Sequence, residues 1–233
     1  MSRPWPKPRI LPCGETALTA EVGDAISPAI HERVLGLTKT LEAVPGVLAR
    51  VPTYRSVFVE YDPLRVSFEA LCLRIEEAYA RLPEPDSQAS PAEVVEIPVC
   101  YGGEYGPDLD EVARVHGLSP REAVELHAAP MYRVYLLGFT PGFLFLGGLD
   151  PRLHTPRRRE PRTRVPAGSV GIAGPQTGVY SLDTPGGWQI IGRTPLRMFD
   201  PGRHPPARAL PGMGVRFRPI DEAEFFRLRE AEA

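Results

Sequence analysis

A chain of 233 residues that is 42% hydrophobic and 24% charged can bury a core, and its composition lies far from the low-apolar, high-charge pattern of disordered proteins. A net charge of -2 removes any global attraction to nucleic acid or an anionic membrane, so neither partner is expected and any basic site must be local. Cys13, Cys72 and Cys100 are widely spaced and odd in number, which argues against a zinc site or a disulfide framework, so no metal is expected.

The length exceeds a single domain of about 100 to 150 residues, and two domains fit it better. The opening residues lack a signal-peptide apolar region and no later run approaches about 18 apolar residues, so a reduced cytoplasmic setting is expected. Of 27 basic residues only Lys7 and Lys39 are lysines, and asparagine is absent. That bias matches a thermophile, although genome base composition produces the same pattern.

Leu18, Ala20 and Val22 alternate with polar positions and place a first strand within residues 10–22. Ile30, Val34, Leu37 and Leu41 recur at helical spacing behind a Ser27 cap and Pro28, which predicts a helix over 26–43. Pro45-Gly46 ends it, and residues 47–61 read as two strands joined by a hairpin near Pro52 or Thr53. Ser67 caps a second helix with an apolar stripe of Phe68, Leu71, Ile75, Ala78 and Leu82. Strand, helix, two strands, helix makes a compact α/β sandwich over residues 1–85. Proline, serine and acid without periodicity mark the stretch from Pro83 as a connection, with the linker at 86–93 and a second domain over 94–233.

Val94–Cys100 returns to a strand that fits either sheet. Two short inserted helices follow, 108–116 and 119–127, the second opened by Ser119, Pro120 and Glu122 in capping-box spacing. Both end at a histidine, where the helix dipole favours one. Beyond Tyr132 glycine and proline recur every few residues. Strands at 132–137, 169–173, 179–182, 188–194 and 215–219 predict a small closed barrel, and 221–233 a charged helix that frays.

Three stretches carry candidate chemistry. Arg152–Arg164 holds six arginines and one histidine against one glutamate, a local charge excess that suits an anionic ligand or, equally, a solvated loop pairing with Glu160 and Asp150. Gly138–Gly148 sets Phe139, Phe143 and Phe145 among tight turns, either as a plug in the barrel or as a wall beside the arginines. Ala173–Trp188 places Gln176, Thr177, Tyr180 and Asp183 between glycine-rich turns whose amides suit an anion. No P-loop, GxSxG or HExxH pattern is present. His127 and His154 lie nearest, and a lone histidine at a helix end is more often a capping group than a base.

Taken together and in order, IPVCYGGEYGPDL (97–109), YRVYLLGFTPGFLFLGGLD (132–150) and PRRREPRTRVPAGSVGIAGPQTGVYSLDTPGGWQIIGRTP (156–195) resemble the 5-oxoprolinase B-subunit family. That family also takes in the KipI inhibitor of a sporulation histidine kinase and the allophanate hydrolase subunit 1 domain of urea amidolyases. The resemblance implies an N-terminal ferredoxin-like α/β sandwich and a mainly-β cyclophilin-like barrel. It further implies a non-autonomous enzyme component that, with the A subunit of 5-oxoprolinase and its KipA-like C subunit, opens 5-oxo-L-proline to L-glutamate using ATP as co-substrate. An alternative is a KipI-like inhibitor of a sensor histidine kinase.

Carried onto this chain, the matching positions are Gly138, Phe139, Pro141, Gly142, Phe143, Arg157, Arg158, Pro161, Arg162, Gln176, Thr177, Tyr180, Pro185, Gly186, Gly187, Trp188 and Arg193. Phe145 and Ser181 depart from the tyrosine and proline common in the family. The implied roles are catalysis by Arg158 and Gln176, with Arg162 as a second anion clamp and Thr177 as an orienting donor. Phe139, Phe143, Arg157, Tyr180, Gly186, Gly187, Trp188 and Arg193 complete the expected site for a small anionic substrate.

Overall fold

The computed structural model describes residues 3–86, 91 and 93–232. Most of the expected linker, residues 87–90 and 92, lies outside the described residues. The chain divides into two compact units, residues 1–90 and 91–233.

The first unit contains β1 (Arg9–Pro12), β2 (Ala17–Glu21), α1 (Pro28–Thr40) with a 3-10 turn at Leu41–Ala43, β3 (Val47–Pro52), β4 (Ser56–Tyr61) and α2 (Phe68–Ala80). Its sheet has the order β1-β2-β4-β3. Ser27 Oγ accepts from Ile30 N (3.3 Å) and Ser67 Oγ from Ala70 N (3.2 Å), so both sequence-marked caps form. Leu18, Ala20, Val57 and Val59 bury one sheet face against Ile30, Val34, Leu37, Leu71 and Ile75. The single strand expected within residues 10–22 is instead a hairpin, β1 pairing with β2 from Arg9↔Glu21 to Pro12↔Leu18. β1 is an edge strand with mostly exposed residues, so it carries no burial alternation to read.

The second unit contains β5 (Val94–Tyr101), α3 (Leu109–Val115), α4 (Pro120–Ala128), β6 (Tyr132–Leu137), β7 (Leu144–Gly147), β8 (Arg162–Val165), β9 (Ser169–Ala173) and β10 (Gln176–Val179). β11 (Thr184–Gly186), β12 (Gln189–Arg193), β13 (Gly214–Ile220) and α5 (Glu222–Ala231) complete it. Seven strands close a barrel in the order β10-β7-β6-β13-β5-β12-β9, and β8 and β11 form a separate two-stranded ribbon. β5 belongs to this barrel, parallel to β13 from Val94↔Gly214 to Cys100↔Ile220 and antiparallel to β12. Ile97, Val99, Val134, Leu144, Leu146, Val170, Ile172, Val179 and Val215 fill the interior.

Two expectations are corrected here. The strand placed at 179–182 runs over Gln176–Val179, because the turn at Gly174 (φ 57°) is tight and β10 must pair with both β9 and β7 to close the barrel. Ser181 has already left the sheet, where its hydroxyl donates to Pro141 O (2.5 Å). The C-terminal helix is docked through Phe225, which is 1% exposed and packs on Tyr105 at 4.7 Å between centroids. Asp221 caps it through Glu224 N (2.8 Å), and Arg218 bridges Glu96 and Glu224. Among the described residues no helix is long and apolar enough to cross a membrane.

Phe225→Ala is expected to lower unfolding stability by about 3–5 kcal/mol, the usual cost of emptying a buried phenylalanine site. Chemical denaturation reads it, and an unchanged midpoint would mean that α5 is undocked in solution.

Candidate active site

Beside the barrel core lies a second buried cluster of Phe143, Val165, Ala173, Tyr180, Trp188 and Ile190, with half-buried Phe145 against it. Phe143 is central, edge-on to Tyr180 at 4.9 Å and Trp188 at 5.5 Å and tilted on Phe145 at 4.6 Å. Edge-to-face contacts of this kind add specific geometry to apolar burial. Phe139 extends the cluster to the surface at 64% exposure, edge-on to Phe143 at 5.7 Å. It does so with φ 64°, a left-handed conformation that costs a side chain free energy and concentrates at functional positions. A Cβ on Gly186 would collide with the Tyr180 hydroxyl, so that glycine serves close packing. Burial pushes the Tyr180 phenol up, against a hydrogen bond with the Trp188 backbone and the charges of Arg157 and Arg162.

The arginine loop closes over this cluster by way of one buried acid. Asp108 Oδ1 accepts from Arg158 Nη1 (3.1 Å) and Arg162 Nη2 (2.7 Å), and its Oδ2 accepts from Ile190 N (2.6 Å). Arg158 N also donates to Gly187 O (2.8 Å), which ties the loop to the start of β12. Two guanidiniums therefore share one carboxylate. Arg158 Nε and Arg162 Nη1 remain buried without an acceptor, an expensive state for charged donors. Arg152 pairs with Asp150 (2.7 Å) and Arg164 with Asp183 (2.6 Å). The Asp183 carboxyl is held below its usual range by the Ala167 N–H and then by Arg164. Among the described residues Arg157 and Arg159 have no acidic partner. Nor does any group of three or more His, Cys, Asp and Glu side chains converge there on a point that would hold a metal.

A family model described as "Carboxyltransferase domain, subdomain C and D" matches residues 8–209. The B subunit of 5-oxoprolinase from Escherichia coli O157:H7 is 47% identical over 90% of this chain and 94% of its own length. That of Bacillus subtilis (strain 168) is 42% identical over 93% and 95%. The chain belongs to the 5-oxoprolinase B-subunit family. The crystal structure of TTHA0988 is similar at TM-score 0.78 and 43% identity, over 88% of this chain but only 40% of that one, which carries a further stretch of polypeptide.

Within this family framework, Phe139, Phe143, Arg157, Arg158, Arg162, Tyr180, Gly186, Gly187 and Trp188 gather around the aromatic cluster and its arginine cover. Gln176 begins β10 opposite Gly147 and Ala173, the latter a member of the cluster. Thr177 and Arg193 lie apart from it. Arg193 ends β12 and donates Nε to Ala167 O (2.9 Å). Thr177 is wholly buried and donates its hydroxyl to Gly171 O (3.0 Å), so it accepts from His127 Nε2 (2.8 Å), whose Nδ1 accepts from Tyr101 (2.8 Å).

His127 stacks on Phe217 at 4.7 Å, and burial pulls its pKa down to about 3. It is a neutral core residue, and not the helix-capping group that its position at the end of α4 suggests, because both ring nitrogens are bonded inside the barrel to Tyr101 and Thr177. Asp108 was the residue that sequence reading missed. It looks like the N-cap of α3, yet its carboxylate makes no capping bond and turns to the arginines and β12 instead.

Asp108→Asn is expected to cost roughly 3 kcal/mol of stability, the low end for removing one partner of a buried ion pair, because both guanidiniums retain some water. A thermal or denaturant midpoint equal to wild type would break that account. For His127 the folded pKa is depressed, so the unfolded chain binds more protons below about pH 6.5 and stability is complete above it. Stability is then lost at about 1.4 kcal/mol per pH unit as pH falls through the window toward about 3. His127→Gln should flatten the slope measured between about pH 6.5 and 5 by that amount, and equal slopes in both proteins would refute the buried neutral histidine.

Proposed function

We propose that the chain is the B subunit of an ATP-dependent 5-oxoprolinase, acting with A and C subunits to open 5-oxo-L-proline to L-glutamate. The observation that carries the reading is the cation excess at Asp108: two guanidiniums on one carboxylate, with orphaned donors, beside an aromatic wall that reaches solvent at Phe139. The names of the E. coli and B. subtilis relatives supply the substrate. The word "subunit" in those names, and the greater length of TTHA0988, support work within a larger assembly. The ferredoxin-like and cyclophilin-like descriptions of the two units, and a cytoplasmic location, belong to the same reading.

The lactam of 5-oxoproline is unreactive because its nitrogen lone pair is delocalised into the carbonyl. Transfer of a phosphoryl group from ATP to the lactam oxygen leaves ADP and an activated ring carbon. Water then adds there, collapse of the tetrahedral adduct breaks the C–N bond to leave a free amine and an acyl phosphate, and a second water hydrolyses that acyl phosphate to glutamate and inorganic phosphate. Negative charge develops on oxygen at each stage, and preorganised guanidiniums stabilise it without reorganising. In this chain Arg158 and Arg162 hold the anion, Arg157 adds charge at the rim, and Phe143 and Trp188 exclude water. Gln176, paired across the sheet with Ala173 of the aromatic cluster, remains the candidate orienting group, whereas Thr177 is already engaged with His127 and Gly171.

A second reading, a regulatory protein that docks on the helices of a sensor histidine kinase, draws on Phe139, since exposed aromatic and arginine side chains anchor protein interfaces. One experiment separates the two. Mixed with its A and C partners, the chain should release glutamate from 5-oxoproline in an ATP-dependent manner, and Arg158→Ala should reduce turnover on the order of 10²- to 10³-fold, as for loss of an oxyanion donor. Unchanged turnover would remove Arg158 from the mechanism. No glutamate from the complete mixture, together with a block of kinase autophosphorylation by the chain alone, would put the second reading first.

A further inference from the structure

At the last residues of β12, apart from Asp108, a groove of about 290 Å³ opens between the barrel and α5. Arg193, Arg197 and Arg229 line it, with Gly168, Ser181 and Phe225. The three guanidiniums arrive from three different segments, and those of Arg193 and Arg229 are held in place while most of their donors stay open. Arg193 donates Nε to Ala167 O (2.9 Å), which fixes the plane of its fork and leaves both terminal nitrogens without a protein acceptor among the described residues. Arg229 stacks over the Phe226 ring at 4.8 Å and has no acidic partner among the described residues. Arg197 approaches Asp200 only at 3.8 Å.

The one carboxylate lining the groove does not neutralise them. Glu232 receives Arg208 Nη2 at 2.6 Å on both oxygens, and its Oε2 also accepts from Arg197 N (3.0 Å). Asp183 is likewise committed to Arg164 and to Ala167 N. Two open guanidiniums, Arg193 and Arg229, with Arg197 beside them in a long ion pair to Asp200, surround a space the size of a very small ligand and suit an oxyanion with several acceptor oxygens, of which phosphate carries the most.

We infer that this groove is a binding site for a phosphate group, separate from the Asp108 site. The shared chemistry admits free inorganic phosphate or the phosphoryl end of a small phosphomonoester. The inference does not depend on the proposed reaction, because none of its three arginines is among those bound to Asp108.

Isothermal titration of the intact chain with inorganic phosphate, and in a parallel arm with glycerol phosphate, tests it at constant ionic strength against chloride. Saturable binding with one site is expected, and Arg229→Ala and Arg193→Gln should each weaken it at least tenfold while circular dichroism stays unchanged. Arg158→Ala should leave it intact. Tighter binding of the ester than of free phosphate would identify a phosphorylated small molecule as occupant, and the reverse order would identify free phosphate. Heats no larger than those of chloride, binding indifferent to both groove variants, or binding lost in Arg158→Ala alone would each overturn the inference.

Discussion

One buried carboxylate holds together the parts of the second unit that matter most. Asp108 is joined to Ile190 in both directions, accepting from its N–H at 2.6 Å and donating its own N–H to its carbonyl at 2.9 Å, while the other carboxylate oxygen takes Arg158 and Arg162. The start of α3, the first residues of β12, the arginine loop and the β8 strand thus meet on one residue. Hydrophobic packing cannot fix a polar loop with such directionality, because burial rewards area and is indifferent to orientation. An ion pair shared three ways with a backbone amide is directional, and desolvation makes it costly to leave unmade.

β12 separates two cationic surfaces. Ile190, near its first residue, is bound to Asp108 and so to Arg158 and Arg162, while Arg193, its last residue, belongs to the groove under α5. At a rise of about 3.3 Å per residue Ile190 and Arg193 stand roughly 10 Å apart along the strand. A chain with a net charge of -2 therefore carries two concentrated positive sites. This is why overall charge excluded nucleic acid as an expected partner without excluding anion binding.

Much of the fold was legible wherever burial imposes a period. The α1 and α2 stripes and the Ser27, Ser67 and Ser119 caps followed from apolar spacing and cap chemistry, and the strands at Tyr132–Leu137 and Ser169–Ala173 from the glycine and proline punctuation around them. β1, β8 and β11 were not legible, because an edge strand and a short ribbon have no buried face to alternate. β7 was hidden differently: its LFLG segment sits inside a run of turn residues, and only the pairing with Arg133–Leu137 and Gln176–Val179 makes it a strand. At the site, arginine density and the phenylalanines were visible as composition. Which arginines converge was not, since it depends on a carboxylate some 50 residues earlier in the chain, disguised as a helix cap.

Ser181 restrains the loop that carries the exposed ring of Phe139. Phe139 holds φ 64°, a conformation costing on the order of 1–3 kcal/mol for a residue with a side chain. Its edge-on contacts to Phe143 and Tyr180 return about 0.5–1.5 kcal/mol each, so the balance is near zero and the loop needs a further restraint. Ser181 supplies one, because its hydroxyl donates to Pro141 O at 2.5 Å and lies 3.3 Å from Thr140 Oγ1. Serine holds the opposite loop directly, and the exposed ring at Phe139 keeps its place against the aromatic cluster through a hydrogen bond two residues away.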